Sequence, residues 1–94
     1  IRIGTVITAE KIPETDKLLK LEVDFGEGKR QIVSGIAENY QPDDIIGKQF
    51  PFILNLEPRT ICGVESNGMI LAADDEKPVL ISPLEKVNNG VIVK

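Results

Sequence analysis

"KLLKLEVDFGEGKRQIVSGI", residues 17–36, carries the alternation that decides the fold. Leu19, Leu21, Val23 and Phe25 fall on one side of an extended chain, and Lys20, Glu22 and Asp24 fall on the other. That period of two is the pattern of a half-buried β-strand. "GEGK" (26–29) offers two glycines for a hairpin loop, and "RQIVSGI" (30–36) reads as the returning strand.

Working outward, "IRIGTVITAE" sets Ile1, Ile3, Thr5, Ile7 and Ala9 against Arg2, Gly4, Val6, Thr8 and Glu10, which predicts a first strand ended by Pro13 and the turn "PETD". After the hairpin, "AENYQPDDIIGK" changes character. Pro42 followed by Asp43 and Asp44 predicts the first turn of a short helix, where acidic side chains oppose the positive N-terminal end, with Gly47 as its stop. "QFPFILNL" (49–56) is a further strand, in which Pro51 lacks an N–H and so must face a sheet edge or a bulge. "EPRTICG", "GMILAAD" and "VLISP" are short extended segments, and "GVIVK" closes the chain. Many short strands with one short helix predict an all-β closed sheet. Five strands with the helix between the third and fourth is the arrangement of an OB-fold barrel, although a β-sandwich fits the period nearly as well.

Ninety-four residues make one small domain, 1–94, with room for a single core. The chain starts mid-pattern at Ile1, which is read as one module of a longer protein. No apolar run approaches the ~20 residues of a membrane span, so no membrane partner is expected. A single cysteine forms no internal disulfide and points to a reducing, cytoplasmic setting. Histidine is absent, which removes the usual general base and the commonest zinc ligand. The net charge of −4 opposes any overall pull toward nucleic acid, but screening at physiological salt leaves room for a local basic face.

"ICGVESNGMIL" (61–71) invites a catalytic reading, because glycines flank Ser66. An exposed-serine elbow needs Gly-x-Ser-x-Gly with a base nearby. Here the spacing is Gly63-x-x-Ser66-x-Gly68, and no histidine exists. The stretch is instead a tight turn with positive φ at Gly63 and Gly68, and Cys62 is expected to be buried as a small hydrophobe. "DDIIG" and "DDE" (74–76) lack the carboxylate ladder of a calcium loop and read as solvated charge at a helix start and a hairpin tip. No metal, cofactor or enzymatic activity is expected.

The basic residues Lys11, Lys17, Lys20, Lys29, Arg30 and Arg59 are spread among polar donors such as Ser34, Asn55 and Ser66, a mixture suited to phosphate and ribose oxygens. Only four aromatics are present, which disfavours base stacking and leaves a shape reader of folded RNA.

Two blocks, "DKLLKLEVDFG…IVSGI" and "NLEPR…GVESNGM", resemble the structure-independent tRNA-binding domain, and the likeness runs over nearly the whole chain. This module occurs at the C-terminus of many methionyl-tRNA synthetases, in free-standing tRNA-binding proteins, in the phenylalanyl-tRNA synthetase β chain and in the endothelial monocyte-activating polypeptide. The resemblance implies an OB-fold with a C-terminal extension, a symmetric homodimer, and non-catalytic binding to the outside corner of tRNA with little sequence preference. It implies a synthetase as partner, in cis or in trans, with this chain as its C-terminal domain or β subunit. It also implies an RNA-binding set of Lys17, Ser34, Asn55, Arg59, Ser66 and Met69. In that set Arg59 and Lys17 meet phosphates, the polar residues donate to backbone oxygens, and Met69 gives an apolar contact.

Two departures accompany the resemblance. Ile12 stands where the family often has histidine, and "EPRT" (57–60) replaces "KPRK". Losing two cations that touch phosphate costs on the order of 1 kcal/mol each, so tRNA binding is expected to be weak. The alternative is a protein-interaction or peptide-binding module like that of a chaperone-like bacterial relative.

Overall fold

The computed structural model describes residues 1–94. Nine strands and one helix follow in the order β1 (Arg2–Lys11), β2 (Leu19–Asp24), β3 (Lys29–Ser34), α1 (Pro42–Ile45), β4 (Gln49–Ile53), β5 (Arg59–Ile61), β6 (Val64–Ser66), β7 (Met69–Ile70), β8 (Ala72–Asp75) and β9 (Lys77–Leu80). Five of them form one antiparallel sheet in the order β3-β2-β1-β4-β7, while β5-β6 and β8-β9 are separate two-stranded ribbons.

The β2–β3 hairpin forms as its alternation requires. Leu19, Leu21, Val23 and Phe25 are buried, and Ile32 faces them from the partner strand. With Val6, Ile36, Ile45, Phe50, Phe52 and Ile70 they make up the core, where the Phe25 and Phe52 rings meet edge to face at 5.3 Å. The sheet curls until its two edges approach. At that seam Gln31 O accepts the Asn67 N–H (2.8 Å), and the Val33 N–H donates to Ser66 Oγ (2.9 Å). The result is the half-barrel of an OB-fold, with helix α1 between the third and fourth strands of the sheet. Asp44 accepts the Gln41 N–H at 2.8 Å, and Pro42 opens the helix.

Strand β1 corrects the simple alternation. Its pairing with β2 slips between Val6 and Thr8, leaving Ile7 as the extra residue of a β-bulge. Core-facing parity therefore changes along the strand. Val6 is fully buried, whereas the pattern put it on the outer side, and Ile3 is buried outside the main cluster. Gly4 also faces the core, where an added Cβ would stand 2.6 Å from the Phe25 ring and from Val23. Glycine is needed there because the aromatic ring occupies its side-chain space.

Pro51 sits in an interior strand, yet it breaks no ladder. It pairs with Ile3, whose N–H and C=O bond instead to Val91 and Gly90. On the other side Pro51 O accepts the Leu71 N–H at 3.1 Å, one residue past the end of β7. The missing donor thus falls where the short last strand is already leaving the sheet.

The C-terminal segment runs antiparallel along the edge of the first residues of β1. Gln49 holds it: Nε2 donates to Val87 O (2.6 Å) and Oε1 accepts the Val87 N–H (3.0 Å). Arg2 bridges to Ile92, and the Val93 N–H donates to Ile1 O at 2.9 Å. No helix is long and apolar enough to cross a membrane.

Candidate nucleic-acid interface

Residues 59–66 make a hairpin rather than a single turn. Ile61 pairs with Val64, Thr60 with Glu65 and Arg59 with Ser66, so Cys62 and Gly63 are the two linking residues. Both have positive φ, 51° and 78°, the requirement of a type I′ turn. Gly68 has positive φ as well, as expected. Cys62 is corrected: it is exposed at the turn tip, not buried, because a two-residue loop beyond the last strand pair leaves its side chain nothing to pack against. The strand Val64–Ser66 was not visible in the sequence, since three residues between two glycines hold too little alternation to register.

This hairpin leans on the barrel seam and opens a groove of about 460 Å³. Arg59, Ser66 and Met69 line it, with Leu56 and Ile61 as its apolar wall and Glu57 as its acidic member. Arg59 is exposed and forms no ion pair; the structure's one ion pair joins Lys20 Nζ to Glu10 Oε1 at 2.6 Å. Met69 is 46% exposed although it pairs with Ile53, so its thioether lies free along the groove.

The six residues singled out in the sequence do not all play alike. Ser66 is 4% exposed, accepts the Val33 N–H and donates to Gly68 O at 3.2 Å. Its hydroxyl is occupied inside the protein, where it latches the hairpin to β3. Ser34 and Asn55 do not line the groove, although each is next in sequence to a lining residue, Val33 and Leu56. Lys17 is exposed but does not line the groove; it stands where its carbonyl accepts the Ala37 N–H.

Arg30 and Gln31, outside the expected set, also hold this region together. Arg30 Nη1 donates to Leu54 O at 2.9 Å, and Gln31 Nε2 donates to Glu65 O at 2.8 Å, so together they brace both sides of the groove. Arg30 shares the core-facing parity of Ile32, and a cation at such a position, with Gln31 on the opposite face, was the available signal.

Residues 1–91 match the model of the family described as "Putative tRNA binding domain". The chain belongs to that family. It is 51% identical to the methionine–tRNA ligase of Porphyromonas gingivalis, over all of this chain but 14% of the ligase. Among solved structures, a methionyl-tRNA synthetase-related protein from Pyrococcus horikoshii superposes with a TM-score of 0.94 at 46% identity, covering 99% of this chain and 87% of that one. The chaperone CsaA of Bacillus anthracis superposes with a TM-score of 0.88 at 34% identity, covering 99% and 88%. The chain therefore spans about one seventh of the ligase it matches (14%) and 87% and 88% of the two solved chains.

Proposed function

We propose that this chain is a non-catalytic tRNA-binding module that serves a methionyl-tRNA synthetase as an appended domain or as a separate subunit. The family match over residues 1–91 carries this reading. Correspondence to 14% of a ligase fits an accessory domain rather than the catalytic body. The groove supplies the chemistry. Arg59 offers an unneutralised guanidinium for phosphate, and Met69 and Leu56 give an apolar side to the groove; Asn55 and Ser34 would add polar donors from chain positions next to its lining. Ser66 acts by positioning Arg59, its pairing partner across the hairpin. Lys17 adds charge at a distance from the groove. The outside corner of tRNA, read by shape, is the surface that such a shallow, aromatic-poor groove fits.

A gel-shift series with total tRNA tests the assignment. Binding should weaken steadily as salt rises, since phosphate contacts release counterions. Retardation that ignores salt, or none at high micromolar protein, rejects it.

We further propose a homodimer and a cytoplasmic setting. Ile1, Ile92 and Val93 are exposed together, joined by the Val93–Ile1 and Arg2–Ile92 backbone contacts, and form an apolar edge suited to a second copy. Sedimentation equilibrium of wild type and of Ile92→Glu measures this directly; the variant should be the smaller species.

The likeness to CsaA supports a second reading, a peptide-binding module using the same apolar wall. Co-purification with peptides and never with RNA would favour it.

A further inference from the structure

A second cluster of cations lies outside the groove. Arg2, Lys29 and Arg30 line a cavity of about 440 Å³ where the loop 26–28 meets Asn89 and Gly90. Glu27 is the only acidic residue on its wall. None of the three cations has a carboxylate partner, since the one ion pair of the chain is Lys20–Glu10. Two of them are nevertheless held in place by neutral groups. Arg2 Nη1 donates to Gly90 O at 2.7 Å, and Arg30 Nη1 donates to Leu54 O at 2.9 Å. A carbonyl occupies one of the five N–H donors of a guanidinium and leaves its charge intact. The cavity thus gathers three cations against one carboxylate, with no ion pair among them, in a protein whose net charge is −4.

Its place in the fold matters as much as its charge. Arg30 reaches Leu54 O and, at 3.4 Å, Asn67 O; Leu54 stands two residues before the groove-lining Leu56, and Asn67 one residue before the groove-lining Gly68. The cavity and the Arg59 groove have no lining residue in common, but Arg30 ties the cavity to the two chain segments that run on into the groove. A ligand carrying regularly spaced phosphates could engage both.

We propose that the Arg2–Lys29–Arg30 cavity is a phosphate-binding subsite that continues the tRNA interface past the Arg59 groove. This rests on the tRNA-binding reading given above. The chemistry is that of a phosphate, whether in an RNA backbone or free in solution. Lys29 supplies a mobile point charge at the mouth, and the two arginines supply oriented donors behind it.

The test compares wild type, Lys29→Gln, Arg2→Gln/Lys29→Gln and Arg59→Ala in tRNA titrations over a salt series. Lys29 is exposed and its side chain makes no hydrogen bond, so Lys29→Gln keeps the fold even if loss of the Arg2–Gly90 bond disturbs the double variant; thermal unfolding checks both. The single variant should weaken binding roughly 3-fold and the double variant roughly 10-fold, with the slope of log K against log salt falling by about one per charge removed. Unchanged affinity and slope in a folded Lys29→Gln, alongside weakened Arg59→Ala, overturns the subsite and leaves the tRNA reading standing.

If wild type binds no tRNA, that reading fails, and inorganic phosphate decides the subsite alone. Phosphate-induced amide shifts confined to residues 26–30 and lost in Lys29→Gln uphold a free-phosphate site. Their absence overturns it.

Discussion

Two hairpins of similar topology divide the work of this molecule. The β2–β3 hairpin pairs six residues on each side and sends alternate side chains into the core. The β5–β6 hairpin pairs three residues on each side, and only Ser66 among them is buried. The first is held by apolar area removed from water, and the second by a two-residue turn and a few hydrogen bonds to β3. Separation of this kind lets the exposed hairpin change its surface without endangering the fold, since few core contacts depend on it. Glu57 and Thr60, which depart from the motif that the sequence resembles, lie on or beside this exposed ribbon, where substitutions cost stability little.

The contrast can be broken most forcefully in the core. Leu21→Ala removes a fully buried side chain and should cost about 3 kcal/mol in urea unfolding. A loss below about 1 kcal/mol would mean that the first hairpin is not the anchor. Ser66→Ala sits at the joint between the two regions. It strands the buried Val33 N–H and should cost roughly 1–2 kcal/mol, with tRNA affinity falling as a consequence of a loosened hairpin. Weakened tRNA binding at unchanged stability would instead make Ser66 a direct contact.

Arg59→Ala should leave stability within about 0.5 kcal/mol while weakening all tRNAs alike, roughly 3- to 10-fold, and lowering the salt slope by about one. An effect on a single isoacceptor would contradict shape reading. The smallest change belongs to the turn tip. Cys62→Asn places a residue better suited to positive φ before Gly63 and should stabilise by roughly 0.5 kcal/mol in the same unfolding assay, without altering tRNA affinity.

The bulge at Ile7 shows why a readable strand can still mislead. "IRIGTVITAE" alternates well enough to predict β1, but one extra residue shifts its parity, and Val6 rather than Ile3 joins the main core. Nothing local demands that bulge; it follows from β1 having to pair with β4 at one end and with β2 at the other. The groove was legible in a different way. Arg59 and Met69 could be named from their motif, whereas the engagement of Ser66 and the bracing by Arg30 depend on chain segments more than twenty residues apart.

By itself the sequence determined the strand–loop–strand at 17–36, the short helix begun by Pro42, and the absence of a histidine-based reaction centre. These follow from local terms: side-chain alternation, a fixed proline φ, and residue chemistry. Tertiary structure alone decided that Cys62 faces water, that Ser66 closes the barrel, and that Arg2, Lys29 and Arg30 gather at one cavity. Each of those outcomes depends on which strand edges meet when the sheet curls, and a sheet chooses its edges only once the whole core is packed.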